Sequence, residues 1–80
     1  MSKDQFAKIV GEVLREVREE RGISQEEFAD KVGMHRTYIG MIERGKRNIT
    51  VFTLIKISES FDINPEVIIS RIHKKYVESL

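Results

Sequence analysis

Apolar residues recur at Phe6, Val10, Val13, Leu14 and Val17, with Arg15, Glu16, Glu19 and Glu20 on the intervening faces. A stripe at that spacing is the mark of an amphipathic helix. Gly22 follows where a left-handed stop is wanted, so the pattern predicts a first helix from about Lys3 to Arg21. Ser24 with Glu27 three residues on has the spacing of a capping box. Phe28, Ala29 and Val32 then supply about two turns, ended by Gly33. A third helix starts near His35, buries Ile39 and Ile42 and stops at Gly45. Thr50 caps a fourth, with Val51, Leu54, Ile57 and Phe61 as its stripe. Asn64 and Pro65 open a fifth, carried on by Val67, Ile68, Ile72 and Tyr76. No segment alternates with period two. The expectation is all-α, a compact five-helix bundle forming one domain over residues 1–80. The glycines at 11, 22 and 33 are evenly spaced, but the blocks between them do not resemble one another, so no repeat is read.

Composition narrows the class. The 80 residues are 40% hydrophobic and 34% charged, an ordinary globular balance for one small core. Cysteine is absent, so neither disulfides nor thiolate metal sites can staple it, and oligomerisation is the remaining source of added stability. Met1 to Lys8 mixes charges without an apolar run, and no stretch is long enough for a bilayer. A cytoplasmic protein without membrane partners is expected. The net charge is only +1, but it is unevenly spread. Residues 1–31 carry six basic and eight acidic side chains, a net −2. Residues 32–56 carry Arg36, Arg44, Lys46, Arg47 and Lys56 against Glu43 alone, a net +4. Residues 57–80 return to −1. A positive island in one segment is the footprint of a nucleic-acid surface.

The joint at about 24–44 says how the island is used. Ala29 lies four residues before Gly33 and Ile39 six after it. Two short helices crossing steeply need a small residue at their contact. They also need a turn residue tolerant of positive φ, and an apolar lock on the second helix. That is the helix-turn-helix arrangement, whose second helix enters the major groove of duplex DNA. Arg36, Thr37 and Tyr38 open that helix. Arg36 has the fork geometry to bond guanine O6 and N7 together, Thr37 suits a thymine methyl or a phosphate, and Tyr38 offers a ring and a hydroxyl. His35 begins the turn, and Met41 lies one turn along. Arg44 continues the basic set, and Lys46, Arg47 and Asn48 form a polar loop suited to phosphates. Gly40 costs about 1 kcal/mol relative to alanine mid-helix, which is explained if its small size allows close approach to DNA.

Gln25, Ala29, Gly33, Ile39, Glu43 and Gly45 fall at the positions of the phage Cro and repressor-like helix-turn-helix family, a resemblance covering residues 9 to about 68. The run HRTYIGMIERGKRN from His35 to Asn48 resembles, more narrowly, the controller proteins of restriction–modification systems. The resemblance implies that Gln25 holds a phosphate or braces Arg36. It also implies that Arg18 pairs with Glu43 to tie the first helix to the third, and that the chain dimerises through its C-terminal region, about 50–80. Phe52, Ile55, Ile69 and Ile72 are more apolar residues than the helix 4 and 5 stripes require, which fits a symmetric interface. The expected partner is a pseudo-palindromic duplex operator bound by a homodimer, with room for two dimers on adjacent sites. Such a controller activates at low occupancy and represses when the second site fills. An antitoxin or a phage-type repressor would carry the same residues, and the sequence does not divide the three. Outside DNA binding, the rival is a protein–protein adaptor. An enzyme is not expected, since His35 and His73 have neither metal-site spacing nor a nearby carboxylate pattern. No cofactor, metal or small-molecule ligand is called for.

Overall fold

Each of the five helices begins on a side chain that accepts one of its free amides, which is why the chain starts and stops helices where it does. In the computed structural model, which describes residues 1–80, α1 (Lys3–Glu20) is capped by Ser2 and α2 (Gln25–Val32) by Ser24. His35 caps α3 (Arg36–Glu43), Thr50 caps α4 (Val51–Ser60) and Asn64 caps α5 (Pro65–Glu78). The Ser24–Glu27 capping box forms as its spacing predicts. Ser2 and Gln5 make a second box with the same three-residue spacing. Arg21 is the C-cap of α1 and not its last residue.

The core is continuous. Val13, Leu14, Phe28, Ile39, Ile42, Ile57 and Ile68 are all at most 1% exposed. Helix α1 packs on both α3 and α5, α2 on α3 and α4, and α4 on α5, so α1 is the wall that the reading helix leans on. Gly33 turns α2 into α3 at φ 76°, where its N–H and that of Met34 both donate to the Ala29 carbonyl, at 2.8 and 2.9 Å. A Cβ at that φ carries a steric cost, which glycine avoids. Gly11, read as part of a chance spacing, has a packing role. A Cβ there would overlap the backbone carbonyl oxygens of Ile42 and Glu43, so only glycine lets α1 and α3 touch backbone to backbone.

Some apolar positions lie elsewhere than the stripes place them. Val51 is 75% exposed, because it falls about a quarter turn from the Leu54–Ile57–Phe61 row. Val67 is likewise exposed. Phe6 sits at the rim of the core, edge-on to Tyr76 with ring centroids 6.0 Å apart. Ile72 lies deeper than the other three interface candidates, although it also lines an apolar groove. It is 6% exposed and belongs to the protomer's own core, because α5 turns Ile68 and Ile72 inward together. No helix is long and apolar enough to cross a membrane.

Candidate nucleic-acid interface

The reading helix is held from behind by a buried ion pair. Arg18, at the end of α1, donates from Nε to Glu43 Oε2 at 2.8 Å and from Nη2 to Glu43 Oε1 at 3.0 Å. Its Nη1 donates to the Ile23 carbonyl at 2.9 Å, so one planar fork fastens α1, the α1–α2 turn and the last residue of α3. The Glu43 side chain is 3% exposed and that of Arg18 14%. Glu43 holds the Arg18 guanidinium even more firmly in its charged form, mainly through the hydrogen bond. Gln25 completes the cluster by donating from Nε2 to Glu43 Oε1 at 3.1 Å. Gln25 thus braces Glu43 and makes no hydrogen bond to Arg36.

With its inner face fixed through Ile39 and Ile42, α3 presents Arg36 and Thr37 to solvent. His35 does a local job: its Nδ1 accepts the Thr37 N–H at 3.2 Å and starts the helix, which leaves the other ring edge exposed. Tyr38 and Met41 are half-buried, with Tyr38 packed on the core and its ring covered by the Arg47 guanidinium at 5.4 Å. Arg47 is thus folded back over the first turn of α3, a contact that nine residues of separation conceal in the sequence. Asn48 donates to the Lys3 carbonyl at 3.5 Å, tying the loop to the start of α1, while Lys46 is free in solvent. Gln25, Arg36, Thr37, Gly40 and Arg44 line one polar cleft of about 210 Å³.

The charge distribution becomes sharper in three dimensions. Glu12, Glu16 and Glu20 on α1 are engaged by Arg71 and Lys75 of α5, the tightest contact being Arg71 Nη2 to Glu20 Oε2 at 2.7 Å. No ion pair involves Arg36, Arg44, Lys46 or Arg47. Those three carboxylates are countered within the molecule, whereas the cations around α3 are left without ion pairs. Reading the sequence missed Gly11 and Lys3 as supports of this surface. A glycine amid a strong helical stripe was the available signal for the first.

Helices α1, α4 and α5 enclose an apolar groove of about 380 Å³ whose walls include Phe6, Val10, Leu54, Ile69 and Tyr76. Val51 also lines it, and Phe52 and Ile55 of α4 are exposed, Phe52 at 74%.

A helix-turn-helix family model matches residues 14–68. The control protein C.SmaI of Serratia marcescens is 38% identical over 63 residues, 79% of this chain and 75% of that protein. The restriction–modification controller protein C.AhdI from Aeromonas hydrophila has a crystal structure that superposes with TM-score 0.79 at 34% identity, covering 85% of this chain and 99% of that one. The controller protein C.Esp1396I, solved as a tetramer in complex with its natural 35 base-pair operator, matches with TM-score 0.81 at 32% identity, covering 90% and 95%. Structures of C.Esp1396I variants replace an arginine, a threonine and a tyrosine at consecutive positions; the same three residue types follow one another here at Arg36, Thr37 and Tyr38.

Proposed function

Since this chain belongs to the helix-turn-helix family, and within it to the restriction–modification controller proteins, we propose that it is a transcriptional regulator that binds a pseudo-palindromic operator as a twofold dimer and controls its own gene. The observation that carries the proposal is the first turn of α3. Arg36 and Thr37 are exposed and unpaired on a helix locked from behind by Arg18 and Glu43. Arg36 reads a guanine edge, with Thr37 and Tyr38 beside it. Gln25, His35 and Met41 border that contact, and Arg44, Lys46, Arg47 and Asn48 supply charge and polar groups for the phosphates on either side. The protein works by binding and not by catalysis, in the cytoplasm where its operator lies. Titration on duplex DNA at rising salt tests this. The logarithm of the binding constant should fall linearly with that of the salt concentration as counterions are released. A chain whose association with duplex DNA is absent, or indifferent to salt, is not this regulator.

The dimerisation region is about 50–80. Phe52, Ile55 and Ile69, joined by Val51, make an exposed apolar face at the groove, whose lining includes Ile72, and burial against a second copy removes it from water. Twofold pairing there presents two reading helices about 34 Å apart, one turn of duplex. Phe52→Glu should yield a monomer in sedimentation velocity with an unchanged helical circular-dichroism spectrum, since the side chain supports nothing in its own protomer. A variant that still sediments as the dimer would move the interface elsewhere.

A further inference from the structure

Gly40 is buried although it lies on the outward side of α3, between exposed Arg36 and exposed Arg44. The three are spaced four apart and so stand above one another on one helix face. What covers the glycine is the side chain of Arg44. Helical side chains lean towards the N-terminus, and from the C-cap Arg44 reaches back a full turn. A Cβ added at position 40 would stand 3.1 Å from Arg44 Nη1 and 3.6 Å from Gln25 Oε1. The space a side chain would take is already occupied by the guanidinium. Glycine is a poor helix former at such a place, and nothing in the backbone requires it, since Gly40 is not among the positive-φ glycines.

We propose that Gly40 is a seat for Arg44, holding its guanidinium beside Arg36 so that the cleft they share with Gln25 and Thr37 takes a second pair of acceptor atoms from DNA. Arg44 has no ion pair, and its forked donors match either guanine O6 and N7 or two phosphate oxygens. Gly40 is then a positioning residue and Arg44 the contact. This differs from clearance of bulk for the DNA itself, the role the sequence suggests for Gly40. The inference rests on the DNA-binding reading above.

The test is a double-mutant cycle on a duplex selected from a random-sequence pool, with a scrambled duplex as control. Gly40→Leu and Arg44→Ala should each weaken binding by about tenfold per half-site. The double variant should lose no more than Arg44→Ala alone. Neither single variant should lower the melting temperature, and Gly40→Ala, a smaller change, guards against misfolding. Without DNA, 15N relaxation of the Arg44 Nε–H should report an ordered side chain in the wild type and a mobile one in Gly40→Leu. Loss confined to the selected duplex assigns the acceptors to a guanine edge; equal loss on both duplexes assigns them to phosphate, and either result keeps the seat. A Gly40→Leu loss that persists in the Arg44→Ala background, or no loss at all, overturns it. A wild type that does not distinguish the two duplexes removes the DNA reading instead, and the relaxation measurement still decides whether Gly40 seats Arg44.

Discussion

Glu43→Ala will destabilise the fold by about 3–5 kcal/mol, the usual consequence of removing one partner from a buried pair. The loss is large because three donors lose their acceptor together: Arg18 Nε, Arg18 Nη2 and Gln25 Nε2. Only the bond from Arg18 Nη1 to the Ile23 carbonyl survives, leaving a guanidinium with a 14% exposed side chain and no carboxylate bonded to it. For a domain of this length the melting temperature should drop by more than about 10 °C, read by circular dichroism. Glu43→Gln keeps the shape without the charge and should fall between the two. Replacing Arg18 and Glu43 together with apolar residues of similar volume should recover much of the loss, because the desolvation cost of both charges disappears with them. A melting temperature within about 2 °C of wild type for Glu43→Ala would contradict the tethering role.

Arg36→Ala should cut sequence preference sharply and leave the fold intact. The side chain is exposed and makes no ion pair, and exposed substitutions of that kind shift stability by no more than about 0.5 kcal/mol. A bidentate arginine–guanine contact discriminates by about 1–3 kcal/mol. A twofold dimer places two copies on the operator, so the expected loss is about 2–6 kcal/mol there. A scrambled duplex loses only the smaller contribution of a general positive charge. Parallel titrations on selected and scrambled duplexes, at one fixed salt concentration, measure the difference. Equal losses on the two would show that Arg36 touches the phosphate backbone and that base reading lies with other residues.

The legible part of this molecule was local. Ser24 with Glu27, Thr50, and Asn64 with Pro65 announce helix starts because a cap is a bond between residues two or three apart. Ala29, Gly33 and Ile39 announce the joint for a similar reason, and the cations of residues 32–56 mark where it acts. The Arg18–Glu43 pair, 25 residues apart, came from family resemblance; no spacing rule reaches that far. Ile72 and Ile69 show the limit on apolar residues. Both read as surplus, yet one is 6% exposed and the other 49%, a difference set by how α5 is rotated against α1 and α4.

Alone, then, the order of residues determined five helices, their caps, the outward turn at Arg36 and the basic segment around it, since each follows from periodicity or from bonds within one turn. Tertiary packing decided that Gly11 lets α1 meet α3 backbone to backbone, that Gln25 braces Glu43, that Arg47 lies on Tyr38 and that Arg44 fills the gap at Gly40. Those contacts depend on the relative placement of side chains from different turns and helices, and that placement exists only once the shared core has closed.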